Sequence, residues 1–148
     1  MKQTEQITEV LLAPWEAERV LFLMHQCAPD LKSLDLSCRA LLEAPLGLAR
    51  FADLETLDLS HNQLEDLGRP LLNLQRLRAL AVRDNQLSEV PPVIPQLRSL
   101  ELLDLGDNRI RALPAEMLAM QRLRRLDLRG NPITMDNVPE PLRAVTVL

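Results

Sequence analysis

Residues 100–122 read LELLDLGDNRIRALPAEMLAMQR, which is one copy of a 23-residue unit that occurs five times in this chain of 148 residues. The copies begin at Leu31, Leu54, Leu77, Leu100 and Leu123. Apolar residues occupy the first, fourth, sixth and eleventh positions of each copy, and asparagine occupies the ninth position of every copy except the first. A fixed period of this length indicates a repeat protein, in which each unit contacts mainly its neighbours.

Each unit is predicted to contain a short strand. In Leu126-Asp127-Leu128 the leucines point to one face and the aspartate points to the other. One unit cannot bury its leucines alone, so we expect the strands to pair in parallel and the leucines to form a continuous core. The third, fifth, seventh and eighth positions then point away from the core. We call the surface that they form the strand face.

The ninth-position asparagines are predicted to form an internal ladder. A carboxamide both donates and accepts hydrogen bonds, so it can satisfy backbone groups in the turn that leaves each strand. The second half of each unit, which we call the outer arc, carries Leu-Pro or a variant such as Ala44-Pro45. Because proline fixes φ and lacks an N–H group, the outer arc should be extended or form a short turn of helix.

This pattern, LxxLxLxxNxLxxLPxxLxxLxx, resembles the leucine-rich repeat family over residues 31–133. The resemblance implies an α/β fold, a curved right-handed solenoid with parallel strands on its concave face. The 23-residue Leu-Pro form looks like the class found in intracellular proteins, including Ras-associated scaffolds, and in many bacterial proteins. It implies protein binding without naming a partner.

We expect one domain over residues 1–148, with an N-terminal cap at 1–30, five repeats at 31–133 and a C-terminal cap at 134–148. Residues 14–28 are predicted to form the cap helix, because Pro14 suits a first helical turn and Pro29 ends it. One extra helical turn is suggested within residues 1–13. Residues 134–148 should fold back as a lid, or else continue into a longer protein or a dimer contact.

One face of the cap helix should cover the first repeat. Its residues are Ala17, Val20, Leu21, Met24 and Cys27. Trp15 and Phe22 are expected to pack against the first repeat, with partner-binding aromatics as the alternative. Cys27 and Cys38 are expected to be reduced, partly buried thiols, with a disulfide as the alternative.

A cytoplasmic location is expected. No run approaches the roughly 18 apolar residues of a membrane span, so no membrane association is predicted, and the first residues do not resemble a secretory signal. Extracellular members of the family generally have cysteine-rich end caps, which this chain lacks.

The fifth position of the units places four aspartates in one column of the strand face, interrupted at Ala81. They are Asp35, Asp58, Asp104 and Asp127. Two interpretations remain open: a recognition stripe, or a soluble position common in the family. Basic residues such as Lys32 and Arg78 lie beside the column and could neutralise it.

At the middle of the strand face, Ala79, Ala81 and Gly106 should form a shallow, less charged strip beside Leu102. An apolar centre with a polar rim is the layout of a protein-binding patch. The predicted partner-binding residues are Asp35, Asp58, His61, Arg83, Leu102, Asp104, Arg125, Asp127 and Arg129.

The charge is unevenly distributed. Residues 1–70 contain 6 basic and 12 acidic residues and residues 71–148 contain 11 and 9, giving −6 and +2. Because arginine pairs well with carboxylates, an acidic protein partner is expected near the last repeats. Nucleic acid fits poorly, because the chain is acidic and offers few aromatics for stacking. The chain should be a monomer, or a weak homo-oligomer joined through its oppositely charged ends.

No catalytic motif is evident. His25 and His61 have no metal-ligand spacing, and we expect no cofactor. A Cys38–His61 dyad on adjacent repeats is the one enzymatic alternative, on a face without an evident pocket. The leading hypothesis is a non-enzymatic protein-interaction module. The alternatives are the substrate-recognition domain of a larger kinase, ligase or prenyltransferase, and a structural homo-oligomer.

Overall fold

A computed structural model describes residues 14–28 and 30–148 of the chain. The extra helical turn predicted within residues 1–13 and the predicted packing of the Trp15 side chain therefore lie outside the described part. So does Pro29, at the predicted end of the cap helix.

The described residues contain six short strands in one parallel sheet, ordered as they occur in the chain. The strands are β1 (Ser33–Asp35), β2 (Thr56–Asp58), β3 (Ala79–Ala81), β4 (Leu102–Asp104), β5 (Arg125–Asp127) and β6 (Thr146–Val147). From β1 to β5 the register offset equals the repeat length, so Leu34, Leu57, Leu80, Leu103 and Leu126 stand side by side. All five are buried, as the predicted continuous core requires.

The outer arcs return the chain to the sheet through short 3₁₀ helices. These span Leu46–Arg50, Arg69–Asn73, Ile94–Gln96 and Ala115–Ala119. The prediction of a short turn of helix is thus confirmed. A row of buried residues, Phe51, Leu74, Leu97 and Met120, closes the back of the core.

The asparagine ladder is confirmed. The Asn85 amide group donates to the carbonyls of Leu59 and Val82 at 3.0 and 3.1 Å, and its carbonyl oxygen accepts from the Leu64 N–H at 2.9 Å. Asn62 and Asn108, one unit away on either side, and Asn131, two units away, repeat this arrangement. In the first unit Arg39 is buried in place of the asparagine.

Helix α1 spans Pro14–Cys27 and buries Ala17, Leu21 and Met24 against the first repeat. Cys27, predicted for the same face, is exposed, because it is the last residue of the helix. The His25 ring packs edge-on against Phe51 at 5.8 Å between centroids.

Phe22 lies at the edge of the contact between α1 and the first repeat. It is 46% exposed, and the Arg50 guanidinium stands 4.8 Å above its ring. Its contact with the first repeat is therefore a cation–π contact at the surface.

Cys27 and Cys38 are both free and both exposed. The expected reduced state is present, but the expected partial burial is wrong. Cys38 occupies the eighth position of its unit, where the chain turns outward with φ of 55°.

The C-terminal segment contains a 3₁₀ helix at Met135–Asn137, helix α2 at Glu140–Arg143 and then β6. Val138 and Leu142 are buried, and Val145 packs against the core. The sequence did not predict β6. Its register with β5 pairs Leu126 with Thr146, 20 residues apart, so this return is shorter than the repeat.

Candidate functional site

The third positions of the units lie on the strand face with graded exposure. Ser33, Thr56 and Arg125 are exposed, Ala79 is half-buried, and Leu102 is 48% exposed. Leu102 is thus a large apolar side chain in a row that is otherwise polar or small. The prediction that it lies open on this face is confirmed.

A depression of about 360 Å³ lies at the middle of the strand face. Ala79 and Ala81 contribute to its lining, together with Asp58, Leu102 and Asp104. In the sheet register Ala81 stands between Asp58 and Asp104, so the carboxylate column is interrupted where the depression lies. The short side chain of Ala81 leaves a concavity at this point of the face.

The four aspartates of the fifth position each accept the backbone N–H two residues ahead. The N–H groups of Ser37, Ser60, Gly106 and Arg129 donate to Asp35, Asp58, Asp104 and Asp127 at 2.8, 2.8, 2.9 and 3.1 Å. One carboxylate oxygen of each is thereby engaged in closing the turn after its strand. The column therefore has a structural role in the turns, which neither of the two interpretations above included.

Asp127 is the most enclosed member of the column. Arg129 donates to it through Nε at 3.0 Å and through a terminal nitrogen at 2.6 Å, and Arg125 approaches to 3.6 Å. The hydrogen bonds from Arg129 lower the pKa of this carboxyl. Only 3% of the residue is exposed, so Asp127 offers a partner little surface of its own. It anchors two exposed arginines at the C-terminal end of the strand face.

Arg83 crosses from the third unit to the fourth. It pairs with Asp107 at 2.5 Å and approaches Asp104 to 3.9 Å. Its guanidinium covers Gly106, where an added Cβ would lie 2.6 Å from an arginine nitrogen. Gly106 is therefore buried and does not belong to the open strip, contrary to prediction, and Ser60 is buried as well.

A second charged row runs beside the aspartates at the second position of the units. It reads Lys32, Glu55, Arg78, Glu101 and Arg124, so its signs alternate. Lys32 pairs with Glu55 at 3.8 Å and Arg78 with Glu101 at 3.1 Å. Hydrogen bonding by Arg78 lowers the pKa of Glu101, and Glu101 raises the pKa of Arg78 in turn.

The expectation that basic residues beside the column neutralise the aspartates holds for Arg83, Arg125 and Arg129, which pair with Asp104 and Asp127. It is wrong for Lys32 and Arg78, because these cations pair with glutamates in their own row. The alternation could have been found in the sequence by aligning the second positions.

His61 pairs with Asp84, not with Cys38 as the alternative of a Cys38–His61 dyad required. His61 Nδ1 lies 2.8 Å from an Asp84 carboxylate oxygen, and both side chains are exposed. Within residues 14–28 and 30–148, no group of three or more histidine, cysteine, aspartate or glutamate side chains is arranged to hold a metal ion. No helix in that part is long and apolar enough to cross a bilayer.

Comparisons with known proteins agree with this architecture. A family model described as leucine rich repeat matches residues 75–133, and a second one matches residues 52–69. No curated protein sequence matches the chain significantly.

Two solved structures illustrate the similarity of the fold. A leucine-rich repeat protein of Leptospira interrogans is 30% identical with a TM-score of 0.63, over 70% of this chain and 28% of that one. Internalin C2 of Listeria monocytogenes is 25% identical with a TM-score of 0.68, over 80% of this chain and 51% of that one. The chain thus spans about half or less of the length of either protein.

Proposed function

We propose that this chain, which belongs to the leucine-rich repeat family, binds a protein partner on its strand face. Domains of this family generally mediate protein–protein interactions. The observation that carries the proposal is the depression at Ala79 and Ala81 beside the exposed Leu102. An apolar side chain of the partner would fill it, and Leu102 would lose its remaining exposure to water.

The charges around the depression define the rim of the proposed interface. Arg125 and Arg129 stand at one end, more than half exposed although both contact Asp127. Both guanidinium groups remain accessible beside the buried Asp127 carboxylate. An acidic side chain of the partner should dock here, where an arginine can bind a carboxylate through two nitrogens.

The test is an affinity capture from a lysate of the source cells, followed by mass spectrometry. Wild-type protein would be compared with Leu102→Asp, which places a charge at the centre of the proposed interface. Leu118→Asp is the matched control, because Leu118 is 47% exposed in an outer arc. Leu102 is preferable to the aspartates as the tested position, since Asp58 and Asp104 also accept turn hydrogen bonds.

We expect at least one protein to bind wild type and Leu118→Asp but not Leu102→Asp. Purified, that protein should lose roughly tenfold or more in affinity for Leu102→Asp, a difference of about 1.4 kcal/mol. Equal capture by all three proteins would contradict binding at the strand face. An Arg125→Glu/Arg129→Glu variant then tests the acidic contact, because a partner that binds it undiminished does not use these arginines.

A further inference from the structure

Leu42 and Leu46 are exposed at positions where the repeat pattern does not require an apolar residue. They are 61% and 75% exposed and occupy the twelfth and sixteenth positions of the first unit. The twelfth position of the next three units holds Glu65, Ser88 and Arg111, and the sixteenth holds Arg69, Pro92 and Ala115. Packing of the core therefore does not account for these two leucines.

The two leucines line a groove of about 500 Å³ between the outer arcs of the first and second units, which we call the cap-side groove. Two smaller residues help to open it. Ala44 stands where the second and fourth units have leucine, and Gly68 stands where the first, third and fourth units have proline. An added Cβ at Gly68 would meet only Pro70, at 3.4 Å, so the space above the glycine is open.

The position of Leu46 is fixed by helix α1. The Leu46 N–H donates to the Glu18 carboxylate, and the Gly47 N–H donates to its other oxygen at 2.8 Å. Pro45 precedes Leu46 and restricts the backbone there. The backbone that carries Leu46 is therefore held in place by the cap helix, which lowers the entropic cost of ordering this side of the groove on binding.

The cap-side groove carries a negative charge. Glu43, Glu65 and Asp66 line it with one basic residue, Arg69. None of these four residues forms an ion pair with any residue that the structure describes. Three carboxylates against one guanidinium leave a net charge of −2 beside two exposed leucines.

We propose that the cap-side groove binds a basic peptide segment of a partner protein, with an apolar side chain on Leu42 and Leu46 and lysines or arginines over Glu43, Glu65 and Asp66. Charge complementarity selects this occupant. Residues 1–13 of the chain contain two glutamates and one lysine and do not complement an acidic groove. The groove shares no lining residue with the depression on the strand face, so each proposal can be tested independently of the other.

The experiment measures the fluorescence anisotropy of short labelled peptides titrated with the full chain. One peptide carries leucines among lysines, and its matched counterpart has glutamate in place of every lysine. We expect saturable binding of the basic peptide and at least roughly tenfold weaker binding of the acidic one. Leu42→Ser/Leu46→Ser should weaken binding of the basic peptide roughly tenfold, because it removes the apolar surface.

Leu118→Ser, which alters an exposed leucine of the fourth unit's outer arc, should leave binding unchanged, as should Leu102→Asp on the strand face. Glu65→Gln/Asp66→Gln should weaken binding and reduce its dependence on salt. Thermal unfolding verifies that each variant is folded, as expected for substitutions of exposed side chains.

Three results would overturn the proposal: no saturable binding of the basic peptide up to about 1 mM, equal binding of both peptides, or undiminished binding by folded Leu42→Ser/Leu46→Ser. A concentration-dependent mass that this variant abolishes, without peptide binding, would assign the groove to a second copy of the chain instead.

Discussion

At the residue scale, the turn after each strand depends on single polar side chains that satisfy several backbone groups at once. Asn85 illustrates this, because it bonds backbone groups of its own unit and of the preceding one while only 7% exposed. Buried backbone groups that lose their partners are costly, at about 1–3 kcal/mol each. These asparagines therefore join the units as well as close the turns.

Asn85→Ala should lower the free energy of unfolding by roughly 2–3 kcal/mol. The substitution leaves the Leu64 N–H group and the Leu59 and Val82 carbonyls without their hydrogen-bond partner. Urea denaturation measures the change. Asn73→Ala is the control, since the exposed Asn73 amide donates to the Ala49 carbonyl at 3.2 Å outside the ladder. A loss no greater for Asn85→Ala than for Asn73→Ala would contradict the ladder's role.

Asp127 makes the stability of the chain depend on pH. Its carboxyl pKa is lowered on folding, chiefly by hydrogen bonds from Arg129. The corresponding stabilisation is present above the unfolded pKa of about 4 and is lost as pH falls through the lower, folded pKa. Asp127→Asn should therefore be less stable than wild type at pH 7, and the difference should shrink below about pH 4.

Thermal unfolding followed from neutral to acidic pH measures this difference. Asp35→Asn is the matched control, because Asp35 accepts the same turn hydrogen bond, from Ser37, and forms no ion pair with the described residues. A difference between Asp127→Asn and wild type that stays constant across the range would show that the arginine contacts do not act through this ionisation.

At the scale of elements, helix α1 docks on the first repeat because one position there has no side chain. An added Cβ at Gly47 would lie 3.0 Å from Glu18 Oε2 and 3.1 Å from Leu21 Cβ. Leu21 is fully buried in the contact between the helix and the first repeat. The close approach also brings the Glu18 carboxylate to the Leu46 and Gly47 N–H groups.

Gly47→Ala should move α1 by a few tenths of an ångström and lower the thermal midpoint, at a cost of about 1–3 kcal/mol from overpacking. Gly106→Ala is the comparison, because the nearest atoms that its added methyl group meets belong to the guanidinium of Arg83, at the end of a flexible side chain. It should cost less. If Gly47→Ala is no less stable than Gly106→Ala, the close contact of α1 does not limit stability.

Strand β6 covers the last full strand. Its segment provides the Val145 and Val147 carbonyls, which accept from the Leu126 and Leu128 N–H groups at 2.8 Å each. Without β6, Asp127 would also lose the neighbour with which it is in register, Val147. The C-terminal segment therefore protects both the edge of the sheet and the buried carboxylate.

Removal of residues 144–148 should lower the thermal midpoint and accelerate amide exchange at Leu126 and Leu128, because their acceptors are lost. Hydrogen exchange read residue by residue measures this. Removal of Leu148 alone, which is 42% exposed, should leave both exchange rates near the wild-type values. Unchanged protection in the longer deletion would mean that β6 does not stabilise the sheet edge.

At the scale of the whole molecule, one hydrophobic core runs from the cap helix to the C-terminal segment. Residues as distant in the chain as Leu21, Leu80 and Leu142 belong to the same buried cluster. Each unit is stabilised by its neighbours, so a chain with few units should unfold as one body. The outer arcs and strands share this core and cannot separate from it independently.

Urea unfolding followed by far-UV circular dichroism and by the NMR signal of the Leu21 amide in the cap helix should therefore give the same midpoint. Leu80→Ala, at a residue 2% exposed in the middle of the core, should lower both midpoints together and cost about 2–5 kcal/mol. Leu118→Ala, at an exposed leucine, should change them little. Separate midpoints for the two probes would indicate that the cap unfolds independently of the repeats.

The repeat, the strand positions, the leucine core and the asparagine ladder follow from the sequence alone, because a fixed period turns one local pattern into a regular stack. The sequence also placed Leu102 on the strand face. Which charged side chains pair with each other depends on the folded chain. The partners of Arg83 and Arg129, the burial of Asp127 and the short return to β6 depend on contacts between units and at the last edge, where no period constrains the side chains. The shape of the cap-side groove also depends on tertiary contacts, since the groove forms where the irregular first unit, the second unit and the cap helix meet.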